Sequence, residues 1–105
     1  MSEVKFRTVT VSSMLDSHIN GQKRSTFISA VVDFSPGITV EEFRIEHLKA
    51  GKEIAIAAVQ HALCRMELKE EEARTRIVEI KENYDGFIER LRKKLENKEE
   101  VETPF

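Results

Sequence analysis

Hydrophobic side chains recur three and four positions apart along most of the second half of the chain. One heptad register can be followed through this region, and its members are Ile56, Val59, Leu63, Met66, Glu70, Ala73, Ile77, Ile80, Tyr84, Phe87 and Leu91. Only Glu70 is polar in this series, and such spacing is typical of an α-helix. Residues 67–73 are all strong helix formers, and residues 39–97 contain no proline. The pattern therefore predicts one continuous helix over residues 39–97.

Two glycine positions are places where this helix could break. Gly51 and Gly86 would each cost a helix about 1 kcal/mol relative to alanine. An unbroken helix would be about 88 Å long at about 1.5 Å per residue, which is more than the rest of the chain can cover. A break at Gly51 or at Asp85-Gly86 would instead give two shorter helices folded back as a helical hairpin, and this stays the alternative.

The first third of the chain is rich in β-branched and aromatic residues. Residues 4–13 and 25–34 are predicted as strands, and the second of them alternates so that Ile28, Ala30, Val32 and Phe34 share one face. The intervening residues 15–24 are predicted as a mobile loop that contains Asn20-Gly21. This dipeptide is a strong hairpin signal because both residues tolerate a positive φ. We therefore expect an antiparallel β-hairpin over residues 4–34.

A complete helix start follows the break Ser35-Pro36-Gly37. Thr39 is the predicted N-cap, Glu42 completes a capping box, and Ile38 with Phe43 would form a hydrophobic staple. The alanine-rich residues 54–63 would let the hairpin approach the helix closely. The predicted fold class is α+β, with an N-terminal hairpin on one long C-terminal helix. Residues 1–97 would form a single domain, followed by a disordered tail over residues 98–105.

Composition narrows the classes of function. The 105 residues include 17 basic and 19 acidic side chains, giving a net charge of −2, so no global positive field favours nucleic acid or an anionic membrane. Cys64 is the only cysteine, and residues 1–7 lack the apolar core of a signal peptide. No apolar run approaches the length of about 20 residues that spans a bilayer. We expect a soluble cytoplasmic protein without a membrane partner.

The helical pattern also predicts self-association, because a chain this short buries only a modest fraction of its surface alone. The basic residues Arg74, Arg76, Lys81 and Arg90 flank the heptad positions and disfavour a parallel two-stranded coiled coil. The apolar stripe also drifts toward a period near 3.6, which suits a bundle. We therefore predict a helix-mediated homo-oligomer. The predicted oligomer seam consists of Ile77, Ile80, Tyr84, Phe87, Ile88, Leu91 and Leu95.

The residues suited to metal binding or catalysis do not complete a site. His61 and Cys64 have the i,i+3 spacing of two zinc ligands on a helix, but a zinc site needs more than two ligands. Cys64 also lacks the surroundings of an activated nucleophile, and no serine lies in a G-x-S-x-G context. We expect no metal, no cofactor and no enzymatic activity.

The hairpin is the part of the chain most biased toward basic residues. Lys5, Arg7, His18, Lys23 and Arg24 lie on its strands or in its predicted loop. Such side chains beside a β-ribbon could bind phosphates of a nucleotide or nucleic acid, or could contact another protein. Because residues 1–38 carry only one more basic than acidic residue, the bias is small.

The order of these parts resembles that of small, uncharacterised accessory proteins of tailed bacteriophages. The resemblance covers residues 4–66: two strands rich in valine and threonine, a Pro-Gly break, and Thr39-Val40-Glu41-Glu42-Phe43 opening a charged helix. It implies host-takeover, anti-defence or recombination roles that work by binding. We therefore expect a non-catalytic, homo-oligomeric interaction protein, with a nucleic-acid-binding or nucleotide-binding module as the alternative.

Overall fold

The computed structural model describes residues 8–34 and 37–101, with side chains described up to residue 96. Two strands, β1 (Thr8–Ile19) and β2 (Gln22–Asp33), precede two helices, α1 (Val40–Cys64) and α2 (Glu70–Val101). The α+β class and the hairpin are confirmed. The predicted strand start at residues 4–7, the break at Ser35-Pro36 and residues 102–105 of the predicted tail lie outside the described residues. Helix α2 extends four residues beyond its predicted end at Asn97.

The strands form one antiparallel pair in an uninterrupted register from Thr8 opposite Asp33 to Ile19 opposite Gln22. Asn20 and Gly21 connect them, with φ of 52° and 77°. Positive φ at both central residues defines a type I′ turn, whose twist matches that of the strands. The predicted loop over residues 15–24 is therefore wrong, because pairing continues up to this two-residue turn.

One face of the hairpin packs on α1. Val11, Leu15, Ser17 and Thr26 are buried on this inner face, which alternates with an exposed outer face. The helix contributes small buried side chains, Ala55, Ala58 and Ala62, beside Val59. Near the start of α1 the rings of Phe34 and Phe43 lie 4.8 Å apart. The alanine-rich segment is thus where the hairpin packs, as the sequence predicts.

Helix α1 begins at its predicted N-cap. The Thr39 hydroxyl accepts a hydrogen bond from the backbone N–H of Glu42 at 3.2 Å. This bond satisfies one of the backbone donors that the first helical turn leaves without a partner inside the helix. The local sequence therefore determines where α1 starts.

The predicted continuous helix is wrong, because the chain turns back at residues 65–69. Met66 adopts a left-handed conformation with φ of 60°. The N–H of Met66 donates to the carbonyl of Leu63 at 3.0 Å, and the N–H of Glu67 donates to the carbonyl of Ala62 at 2.9 Å. This pair of bonds is a Schellman motif, which ends a helix. The helical hairpin is therefore the observed architecture, but neither glycine is the break.

Burial of Leu68 explains why the chain turns at a sequence of strong helix formers. Leu68 joins a core cluster in which Leu15 comes from β1, Ala58 and Val59 come from α1, and Ala73 comes from α2. A straight helix would carry Leu68 away from Leu15. The free energy gained by burying the Leu68 side chain thus outweighs the preference of this segment for a continuous helix.

The two helices run antiparallel in close contact. A Cβ atom at Gly51 would lie only 3.1 Å from Cε1 of Tyr84. The next residue of α1, Lys52, donates to Asp85 of α2, the residue after Tyr84, at 2.7 Å. The long-range pair forms because the folded-back α1 brings Lys52 to Asp85.

The resulting molecule is flat and elongated, measuring 64 × 25 × 16 Å. Its radius of gyration of 17.4 Å exceeds the value of about 13 Å typical of a compact domain of this length. Among the described residues, nothing covers the outer face of the hairpin or one side of the helical pair. Neither described helix contains a segment long and apolar enough to cross a membrane.

Candidate functional site

The outer face of the hairpin consists of the even-numbered residues of β1 and the odd-numbered residues of β2. Every residue on this face is exposed, from Thr8 and Asp33 at one end to His18 and Lys23 near the turn. The face is therefore a two-stranded ribbon about 40 Å long, at about 3.3 Å per residue.

Three large apolar side chains lie on this outer face between its two polar ends. Met14 lies directly opposite Phe27 in the register, and Val31 lies on the same face of β2. Their exposed fractions are 66%, 64% and 66%. Side chains on one face of paired strands contact across and diagonally. Met14 and Phe27 are therefore neighbours, and Val31 lies two residue pairs further along the same face, beyond Ser12 and Ser29. We call the three apolar side chains the hairpin patch.

Polar contacts occupy the end of the face nearest the turn. Asp16 accepts a hydrogen bond from the Ser25 hydroxyl at 2.7 Å, and its other oxygen lies 3.8 Å from Nζ of Lys23. The Ser25 hydrogen bond, followed by the positive charge of Lys23, lowers the pKa of Asp16 below its usual value of 3.8. Asp16 is therefore ionised at neutral pH and holds Lys23 beside the hairpin patch.

The opposite end of the face carries a second polar contact. The Thr8 hydroxyl donates to the Asp33 carboxylate at 2.9 Å. The outer face thus carries its three large apolar side chains between two polar ends, among small hydroxyl side chains.

The predicted phosphate-binding residues do not form one cluster among the described residues. Lys5 and Arg7 lie outside the described part of the chain. His18 and Lys23 share the outer face, whereas Arg24 lies opposite Ser17 on the other face and donates to the Gln22 side chain at 2.9 Å. His18, Lys23 and Arg24 also lie on paired strands and not in a mobile loop. Alternation along β2 separates Lys23 from Arg24.

The predicted oligomer seam divides into two groups. Ile77 and Ile80 pack against the core cluster, Tyr84 contacts Gly51, and Ile88 is buried. These residues contact this chain's own α1 because α2 folds back on it. Phe87, Leu91 and Leu95 instead line an open groove between the helices. The seam as an interface between copies stays a prediction.

This groove has an apolar floor and basic edges. Leu48 of α1 joins the three α2 residues on the floor. Two adjoining hollows of about 530 and 190 Å³ make up the groove. The basic side chains along it are Arg44, Arg90, Lys93 and Lys94. We call this surface the basic groove.

Sequence reasoning missed the basic groove because it assigned Phe87 and Leu91 to a continuous seam. The signal was present in the run Arg90-Leu91-Arg92-Lys93-Lys94, which carries four basic residues in five positions. The net charge of the whole chain, −2, gives no indication of a local basic cluster of this kind.

His61 lies on an exposed turn of α1, and Cys64 is also exposed. Within the described residues, no group of three or more histidine, cysteine, aspartate or glutamate side chains is placed to hold a metal ion. The structure therefore adds no third ligand to this pair.

Comparison with protein-family models, with curated proteins and with solved structures gives no significant match.

Proposed function

We propose that the protein is a non-catalytic interaction protein that assembles with itself through the hairpin patch. The observation that carries the proposal is the exposure of Met14, Phe27 and Val31 together on one face. Exposed large apolar side chains bordered by polar residues are characteristic of interaction sites. Face-to-face packing of two hairpins would remove this surface from water.

The geometry of the hairpin favours a second copy as the first partner. A two-stranded sheet is only marginally stable alone, and here no described residue covers its outer face. Lys23 lies near one end of the face and Asp33 lies at the other. A two-fold axis through the middle of the face would bring Lys23 of one copy to Asp33 of the second. A second copy would therefore gain one opposite-charge contact in addition to burying exposed apolar side chains.

The alternative, a module that binds nucleic acid or a nucleotide, has less support from the geometry. Lys23 and Arg24 lie on opposite faces of the sheet, so these two basic side chains do not converge on one phosphate. A role as a phage accessory protein rests on the layout of the chain alone. Both self-assembly and binding of a further protein agree with that role.

Sedimentation equilibrium tests the proposal at concentrations up to about 100 µM, where even moderate affinities populate a dimer. We expect the wild-type protein to sediment at twice the chain mass of 12.1 kDa or more. Phe27→Ser and Val31→Thr should each shift the equilibrium toward monomer by about tenfold or more. Val78→Thr is the matched control, because Val78 is 53% exposed but lies on α2.

A monomer mass for the wild-type protein throughout this range would overturn the proposal. Equal weakening by Val31→Thr and Val78→Thr would also contradict it, because the hairpin patch would then have no special role. The nucleic-acid alternative is tested by titrating labelled oligonucleotides. It predicts binding that weakens with salt and is lost in Lys23→Gln and Arg24→Gln.

A further inference from the structure

The basic groove lies on the helical pair and is separate from the hairpin patch. Phe87, Leu91 and Leu95 follow one another at intervals of four residues on α2, so they form a single stripe along the helix. Phe87 is 50% exposed. Leu48 of α1 completes the apolar floor of the groove. This stripe remains partly uncovered even though α2 packs on α1.

The charges along the groove are largely uncompensated. Arg44, Lys93 and Lys94 form no ion pair with any carboxylate among the described residues, whereas Lys49, Lys52, Arg74 and Arg76 elsewhere on the helices do. Glu41 is the only acidic residue that lines the groove within the described part of the chain. The groove is thus locally positive on a protein whose net charge is negative.

Arg90 is held in position at the edge of the groove. Its guanidinium lies 4.7 Å from the centre of the Phe87 ring, and its Nε donates to the carbonyl of Gly86 at 3.3 Å. These contacts fix the side chain while leaving its terminal N–H groups able to bind a carboxylate. The residue is therefore preorganised for an acidic ligand.

We propose that the basic groove binds an acidic amphipathic helix of another protein. Two antiparallel helices with an apolar groove between them can accept a third helix, which completes a three-helix bundle. The apolar face of that helix would cover Phe87, Leu91 and Leu95. Its flanking glutamates or aspartates would pair with Arg44, Arg90, Lys93 and Lys94.

The apolar floor argues for a peptide over a nucleic-acid strand. A phosphate backbone would satisfy the basic edges but would leave Leu48, Leu91 and Leu95 in contact with water or with charge. An amphipathic helix satisfies both parts of the groove at once. This inference does not depend on self-assembly through the hairpin patch.

Fluorescence anisotropy with a designed probe tests the inference. The probe is a fluorescein-labelled helical peptide of about 14 residues, with leucines spaced as helix-in-groove anchors and glutamates at most other positions. A second probe replaces each glutamate with lysine. We expect the acidic probe to bind with a Kd of about 10 µM and the basic probe to bind at least about tenfold more weakly.

Variants of residues in the basic groove test whether the acidic probe binds there. Lys93→Glu with Lys94→Glu should weaken binding of the acidic probe by about tenfold or more, and so should Phe87→Ala alone. The matched control is Lys69→Glu with Lys81→Glu, which makes the same change in net charge at exposed positions away from the groove. Val78→Ala is the control for Phe87→Ala. Both controls should leave the Kd within about twofold of the wild-type value.

Three outcomes would overturn the inference: no binding of the acidic probe at about 100 µM protein, equal affinity for the basic probe, or equal weakening by the control variants. Circular dichroism of each variant checks that its helices remain folded. The sedimentation behaviour of Lys93→Glu with Lys94→Glu should match that of the wild-type protein. Failure of this inference is therefore distinguishable from failure of self-assembly through the hairpin patch.

Discussion

The phenol ring of Tyr84 occupies the space that a side chain at Gly51 would need. A Cβ atom at position 51 would lie 3.1 Å from Cε1 and 3.2 Å from the hydroxyl oxygen of Tyr84. Few real Cβ contacts are this short, so the glycine is required by the approach of α2 to α1. A residue that weakens α1 as an isolated helix thus makes the helical pair possible.

Gly51→Ala tests this contact. We expect the substitution to lower the free energy of unfolding by about 1 kcal/mol, because the clash with Tyr84 outweighs the gain in helix propensity. Gly86→Ala is the matched control, since its Cβ would meet only the end of Arg90, at 3.9 Å. That variant should gain about 0.5–1 kcal/mol. Urea denaturation measures both changes, and a stabilising Gly51→Ala would contradict the proposed role of Tyr84.

Met66→Gly should stabilise the protein by about 1 kcal/mol, because glycine adopts the left-handed conformation without the steric cost that methionine incurs. Met66 is exposed, so removal of its side chain sacrifices little packing. Thermal unfolding followed by circular dichroism gives the measurement. The neighbouring Arg65→Gly is the control. Arg65 has φ of −85°, and glycine there should be neutral or destabilising.

The same Met66→Gly variant distinguishes the two helical architectures. In one continuous helix, glycine at position 66 would cost about 1 kcal/mol relative to a good helix former. A fall in stability of that size would therefore contradict the helical hairpin.

Two buried hydroxyls on the inner face of the hairpin lack hydrogen-bond partners among the described residues, namely Ser17 Oγ and Thr26 Oγ1. Burying a polar group without a partner opposes folding. We therefore expect Ser17→Ala and Thr26→Val each to raise the free energy of unfolding by about 1 kcal/mol.

Chemical denaturation of both variants checks this prediction. Ser29→Ala is the control, because Ser29 is exposed on the outer face and its replacement should change stability by less than about 0.5 kcal/mol. Destabilisation by Thr26→Val would indicate that its hydroxyl has a partner in solution.

The lowered pKa of Asp16 predicts a local dependence of stability on pH. A carboxyl whose pKa is lower in the folded state stabilises the protein above its unfolded pKa, and that contribution is lost as the pH falls through the folded value. The loss should therefore begin as the pH falls toward 3.8 and be complete below the folded-state pKa. We expect the NMR titration of the Asp16 carboxyl to have its midpoint below that value.

Variants at Ser25 and Lys23 test which of the two contacts lowers the pKa of Asp16 more. Ser25→Ala should raise the Asp16 pKa more than Lys23→Gln does, because the Ser25 hydrogen bond has the larger effect. A larger shift in Lys23→Gln would reverse that order.

Local signals in the sequence predict the ends of elements where one or two residues decide them. Asn20-Gly21 predicts the turn, and Thr39 predicts the start of α1, because the required conformation and hydrogen bond come from those residues themselves. The alternation of Ile28, Ala30 and Val32 likewise predicts the inner face of β2.

The helical break and the basic groove could not be predicted in this way. The break depends on burial of Leu68 in a core cluster that includes Leu15 of another element, and Met66 carries no turn signal. Three consecutive glutamates, Glu70 to Glu72, do favour a helix start at residue 70, but they also fit the middle of a helix. The basic groove forms only when α2 packs against α1, so the prediction of one continuous helix gave no sign of it.

Within the part of the chain that the structure describes, each strand of the hairpin has a hydrogen-bonded neighbour on one side only. In an antiparallel pair, alternate backbone amides point toward the neighbouring strand and the others point outward. Amide hydrogen exchange should therefore alternate between slow and fast along both strands with a period of two. Packing of two hairpins face to face would preserve that alternation. Addition of a strand at an edge would slow the outward amides of the strand it joins, so exchange rates distinguish stacked sheets from a continuous one.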